Sequence, residues 1–143
     1  MKYIRKNLKY IFPVLIVIMV LGLVLSRIYQ PDNSPPEPEI RISASEANEH
    51  IGKAAEVCGT IVSVNYITQL GGKPTFINFG RPHPNQLFTA VIWGNNRPKW
   101  DVPPERHYIN KNICVRGRIE IHDGTPQIVV KHPEQITDQE AVQ

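Results

Sequence analysis

Two cysteines, five histidines and a set of scattered cations and rings are the residues of this 143-residue chain that could do chemistry. Cys58 and Cys114 can join as a disulfide, stay reduced as small buried hydrophobes, or serve as redox thiols. A structural zinc site takes four ligands, ordinarily in a C-x-x-C or H-x-x-x-H rhythm, and neither rhythm occurs. No C-x-x-C and no base partner is readable, so thiol chemistry has little footing. The histidines, at 50, 83, 107, 122 and 132, have no metal-binding spacing and read as surface residues. There is no G-x-S-x-G, no Walker loop, no H-E-x-x-H and no nuclease-like carboxylate cluster. Neither an enzyme, a cofactor nor a small-molecule substrate is expected.

Charge gives a more positive lead once the chain is divided. Residues 1–30 carry five basic residues and no acid, residues 31–40 three acids and no base, and residues 41–143 eleven basic against ten acidic residues. The overall pI near 9.0 therefore reflects the N-terminus and is no footprint of nucleic acid on the folded part. Between residues 57 and 132, however, nine basic residues face four acidic ones. Cations there could meet phosphates, and neighbouring rings could stack on bases.

These residues need elements to hold them. From Tyr10 to Ser26 no residue is charged, and branched aliphatics dominate. At a rise of about 1.5 Å per residue this run nearly crosses a hydrocarbon core, with Lys9 and Arg27 placed to snorkel at its ends. It reads as a transmembrane signal anchor behind a basic tip, over residues 1–30. A cleaved signal peptide is the alternative, but its best cleavage site is the mediocre Val24-Leu25-Ser26. Four basic residues precede the span and one follows it, which predicts a cytoplasmic N-terminus and an extracytoplasmic or periplasmic remainder. Residues 31–40, with Pro31, Pro35, Pro36 and Pro38, read as an extended stalk. A domain over 41–137 and a tail over 138–143 complete the chain.

The domain pattern predicts an all-β fold with one or two short helices. Ser43 followed by Glu46 suggests a capped short helix near 44–50. Strands are expected over 56–66, 75–79, 87–93, 113–122 and 127–131, with an Asp123-Gly124 hairpin between the last two. A short helix can start in the long connection, at Pro103-Pro104-Glu105-Arg106. Five strands, the longest connection between the third and fourth, match the order of an OB-fold barrel. A seven-strand sandwich has too little chain.

The strings Pro74-Thr-Phe-Ile-Asn-Phe, Pro84-Asn-Gln-Leu-Phe-Thr-Ala-Val-Ile-Trp-Gly, Ile113-Cys-Val-Arg-Gly-Arg-Ile-Glu and Pro126-Gln-Ile-Val-Val carry a resemblance. Over about residues 54–136 the chain resembles the OB-fold nucleic-acid-binding domains of bacterial secreted nucleases and of stand-alone envelope proteins. Such a barrel sets its first and fourth strands side by side, and outside the cytoplasm Cys58 and Cys114 would then form a structural disulfide.

OB-folds grip single strands with strands two and three and the adjoining loops. That rule selects Tyr66, Phe76 and Trp93 as stacking rings and Lys73, Arg81, Arg97, Lys99, Arg116, Arg118 and Lys131 as phosphate contacts. Arg116 and Arg118 alternate away from Ile113, Val115 and Ile119 and so point outward. Trp100 either stacks on a base or covers the barrel bottom. The expected function is a membrane-tethered module that binds nucleic acid, single-stranded, without catalysis. An envelope protein-interaction or scaffold module is the alternative. A remote third reading is a haem carrier: the chain is similar in plan to the cytochrome c maturation haem chaperone, and Lys131-His132-Pro133 stands near the place of its haem-linked histidine. Position 136 is Ile where that family has Tyr.

Overall fold

A computed structural model describes residues 2–29 and 34–139. It divides into two compact units, Met1–Ser34 and Pro35–Gln143. The first is a single helix, α1 (Lys2–Ile28), with Pro13 inside it. Its stretch Ile11–Ile28 is long and apolar enough to cross a membrane.

The second unit is sheet-rich. Eight strands make up the sheet: β1 (Ile40–Ser43), β2 (Ala54–Tyr66), β3 (Thr75–Phe79), β4 (Phe88–Ile92), β5 (Asn112–Arg118), β6 (Glu120–His122), β7 (Thr125–Val129) and β8 (Ile136–Asp138). Hydrogen-bonded neighbours run β6-β7-β4-β3-β2-β5-β8, and β1 pairs β2. The long β2 serves two ladders: Ala54 to Thr60 lie antiparallel to β5, and Ile61 to Tyr66 antiparallel to β3. The β4–β7 pair is parallel, with Thr89 opposite Gln127 and Val91 opposite Val129.

The alternation that suggested strands also sorts their faces. Ile77 and Phe79 of β3, Phe88, Ala90 and Ile92 of β4, Ile113 and Val115 of β5 and Ile128 of β7 are buried in one core with Ala55, Val57 and Ile61 of β2. Phe79 and Phe88 meet edge to face at 5.1 Å. A bulge between Ile61 and Ser63 shifts the parity of β2, so Val64 packs on the core while Ser63 and Asn65 look out beside Asn78 and Phe76. Trp100 belongs to the core, its Nε1 donating to the Tyr108 hydroxyl at 2.9 Å.

Several expectations need correction. Eight strands replace five. The segment 113–122 is not one strand: the Ile119 amide donates to Lys53 O and its carbonyl accepts from Gly52 N, so this residue leaves the ladder and divides β5 from β6. The segment expected to run from stalk into helix contains β1, because Ile40, Arg41, Ile42 and Ser43 lie in parallel register with Ala55 to Cys58. Asp138, placed in the tail, belongs to β8, which is held on β5 by Ile136 opposite Val115. The capped turn at Ser43 exists, with Ser43 N donating to Glu46 Oε2 at 2.8 Å, but Ala44–His50 is a 3-10 helix. The short helix of the long connection is α2 (Pro104–His107). Residues 31–33 of the stalk and 140–143 of the tail lie outside the described residues.

Candidate nucleic-acid interface

The outward face of β3, β4 and β7 carries the site. Phe76 and Asn78 of β3 lie on the face away from the core, beside Thr89 and Val91 of β4 and Gln127 and Val129 of β7, with Asn78, Thr89 and Val91 buried there. Trp93 and Lys131 each lie two positions past the last pair of the β4–β7 ladder, Val91 with Val129, so the same face continues toward them.

At that end six of the ten predicted contacts come together. The Trp93 ring lies against Gly72, where a Cβ would stand 2.9 Å from the ring, and Gly72 has φ +76. Glycine is required there on both counts. Gly94 N donates to Gly72 O at 2.8 Å, which brings the Lys73 turn up to the end of β4. A tight turn then carries the chain from Trp93 through Asn96 to Lys99, whose Nζ donates to Lys131 O at 2.8 Å and to Asn96 Oδ1 at 3.0 Å. Lys73, Lys99 and Lys131 are exposed, and Trp93 is 39% exposed.

Tyr66 and Arg97 complete this end and hold each other. The Arg97 guanidinium carbon sits 3.8 Å from the Tyr66 ring centroid, and both terminal nitrogens reach Glu105 at 3.0 Å. A further bond, 2.5 Å long, runs from Arg97 to Thr75 Oγ1. Glu105 is held below the usual carboxylate range, chiefly by its hydrogen bonds from Arg97. One face of Tyr66 is thus occupied, and Arg97 is committed to the protein.

The remaining candidates lie elsewhere. Phe76 lines a groove further along the outward face. Arg81 is exposed just past β3, at the far end from Trp93. Arg116 and Arg118 sit on β5, beyond β2. Arg116 donates to Glu134 O at 2.9 Å and Arg118 to Gly52 O, so both fasten loops to the sheet.

Cys58 and Cys114 are directly opposite across β2 and β5 and form a disulfide, with Cα atoms 4.0 Å apart. Arg41 Nη2 approaches Cys114 Sγ at 3.3 Å, and Arg41 Nε pairs with Glu56 at 3.4 Å. Glu56, Cys58 and Cys114 cluster within 4.8 Å, yet the two sulfurs are bonded to each other and have no thiolate to offer a metal.

Sequence reasoning missed the polar row of the groove. Asn78 donates to Ser63 Oγ at 3.0 Å and accepts from Thr89 Oγ1 at 3.1 Å, and both Asn78 and Thr89 are buried. The available signal was their parity: amides and hydroxyls at strand positions opposite to the core-facing aliphatics.

No family model matches the chain, and no curated protein is similar to it. Among solved structures it is similar to one assigned as an aspartyl-tRNA synthetase from Leishmania major Friedlin. The identity is 14% over 77% of this chain and 22% of that chain, with a TM-score of 0.43. This chain spans about a fifth of that protein's length.

Proposed function

We propose that this chain is a membrane-tethered, extracytoplasmic OB-fold module that binds single-stranded nucleic acid and carries out no reaction on it. The single observation that carries the reading is the junction of Trp93 with three exposed lysines, Lys73, Lys99 and Lys131, at one end of the outward sheet face. A ring for stacking beside cations for phosphate is what sequence-tolerant single-strand binding requires.

The strand connectivity supports the barrel. β5 and β6 flank opposite ends of the run β6-β7-β4-β3-β2-β5, yet only Ile119 separates them along the chain. Were the kink at Ile119 bridged, the two ends would meet and β2, β3, β4, β5 with β6, and β7 would follow the five-strand order of an OB-fold, with β1 and β8 added at its edges. The resemblance to the OB domains of secreted nucleases and envelope proteins agrees with that order. Lys2, Arg5, Lys6 and Lys9 before the uncharged run Tyr10–Ser26, against Arg27 after it, favour a cytoplasmic N-terminus with the sheet outside.

One observation favours an envelope protein-interaction module as the second reading. Arg97, Arg116 and Arg118 all spend hydrogen bonds on the protein itself. Fluorescence anisotropy separates the readings. Full-length chain in detergent should bind labelled single-stranded DNA or RNA, and Trp93→Ala should weaken binding about tenfold, the value of one stacked base. Failure to bind either polymer at low salt contradicts the nucleic-acid reading and leaves the interaction module.

A further inference from the structure

We infer that the Cys58–Cys114 bond is a thiol–disulfide exchange site, open to a dithiol in the folded chain, with Cys58 the sulfur attacked and Cys114 the sulfur released. The inference goes beyond the nucleic-acid reading and does not rest on it. The bond lies on β2 and β5, flanked by β1 and β8, whereas Trp93 and Lys131 lie past the ends of β4 and β7.

Register places the bond on the surface side of the sheet. Ser43, Cys58, Cys114 and Thr137 form one row across β1, β2, β5 and β8. Their neighbours along the strands, Val57, Ile113, Val115 and Ile136, belong to the core, so the row stands on the opposite face. Neither cysteine is a member of that core, and Ser43 and Thr137 at the ends of the row are exposed. The ladder of Ala54 to Thr60 against Asn112 to Arg118 already holds the two cysteines opposite each other. Breaking the S–S bond therefore empties no core position and leaves the strand pairing in place.

The two sulfurs have different surroundings. A hollow of about 410 Å³, walled by Arg41, Ser43, Glu46 and Gly59, is lined by Cys58 and not by Cys114. Cys58 is 8% exposed and Cys114 2%. The sulfur contact of Arg41 is with Cys114, Nη2 to Sγ at 3.3 Å, while its Nε pairs with Glu56 at 3.4 Å. The Glu56 carboxylate lies within 4.8 Å of both sulfurs and favours neither. Exchange goes to the accessible sulfur, and the other leaves faster where its thiolate is stabilised by a cation. Access selects Cys58 and the guanidinium selects Cys114, so both preferences describe the same reaction. The sequence hides this partner because Arg41 lies 73 residues from Cys114.

A thiolate of the dithiol forms a bond to Cys58 Sγ, and the Cys58–Cys114 bond breaks with its electron pair on Cys114. The second thiol of the reductant, deprotonated, then attacks the first, closes the reductant's own disulfide and releases Cys58. Two electrons pass to the protein, and the two protons lost by the dithiol balance those taken up by the cysteines.

The test treats the full-length chain in detergent with dithiothreitol and, separately, with reduced thioredoxin, and follows free thiols by alkylation and mass. Reduction should proceed in proportion to dithiol and stay flat in urea below the unfolding transition. Faster reduction per thiol by dithiothreitol assigns a small thiol as reductant, and faster reduction by thioredoxin assigns a protein dithiol. With glutathione, a monothiol, mapping of the maleimide-quenched chain should find glutathione on Cys58 and maleimide on Cys114. Arg41→Ala should slow reduction about threefold, a modest factor because Arg41 is largely exposed, and Arg41→Lys should restore it. Glutathione on Cys114, a rate indifferent to Arg41→Ala, or reduction that climbs steeply with urea overturns the inference. Oligonucleotide binding is read on other residues and should be the same in Arg41→Ala as in the parent, so failure here is distinct from failure of the nucleic-acid reading.

Discussion

The Arg97 guanidinium rests over the Tyr66 ring at 3.8 Å while gripping Glu105 with both terminal nitrogens. This pairing fastens the long connection after β4 to the end of β2. It converts two predicted ligand contacts into a latch that positions Trp93 and Lys99.

Removing that latch should be visible in stability. Arg97→Ala strips a cation from a ring and leaves a half-buried carboxylate without its partner, which should cost about 1–3 kcal/mol. Chemical denaturation of variant and parent measures it. The cost should also depend on pH. Glu105 ionises more readily folded than unfolded, so the pair contributes fully above the ordinary value of 4.5 and loses its contribution as pH falls through the lower folded value. The gap between parent and Arg97→Ala should therefore narrow on acidification below 4.5; a gap that widens there contradicts the assignment.

The Cys58–Cys114 bond closes a loop with a sequence separation of 56. In the chain-entropy model a loop of this size stabilises by about 4 kcal/mol. A Cys58→Ser/Cys114→Ser double variant should unfold at correspondingly lower denaturant, and mass measurement of alkylated protein should find no free thiol in the parent.

Gly117 should resist substitution. A Cβ there would stand 2.6 Å from Ile128 Cγ2, between β5 and β7. Gly117→Ala should cost about 1–3 kcal/mol through overpacking, whereas Gly71, with open space around it, should accept alanine without such a clash. Thermal melts of the two variants compare them directly.

The parts of the fold that were legible in the sequence are those with a local signal. Val57 and Ile61, Ile77 and Phe79, and Ile113 and Val115 alternate strongly enough to mark strands, and Asp123-Gly124 marks its hairpin by turn chemistry alone. β1 and β8 carry no such signal. Ile40-Arg-Ile-Ser and Ile136-Thr-Asp are too short to show a period, and they become strands only because β2 and β5 offer them edges. The break at Ile119 was equally hidden, since it depends on Gly52 and Lys53, some 66 residues earlier in the chain.

The candidate site was half legible for a related reason. Rings and cations announce themselves by type, so Trp93, Lys99 and Lys131 stand out as candidates, and the structure brings them to one end of the same sheet face. Their type did not reveal that Arg116 and Arg118 would tie down the Glu134 and Gly52 carbonyls. Asn65, Asn78, Thr89 and Gln127 went unnoticed because amides and hydroxyls in a strand read as weak spots until the face they share is known.

The most direct test of the central claim is the salt dependence of single-stranded oligonucleotide binding by the full-length chain in detergent. With Lys73, Lys99 and Lys131 each neutralising one phosphate, log K should fall against log salt with a slope of about −2, and Lys99→Ala/Lys131→Ala should reduce it to about −0.7. A flat slope, or a slope the double variant leaves unchanged, contradicts the account.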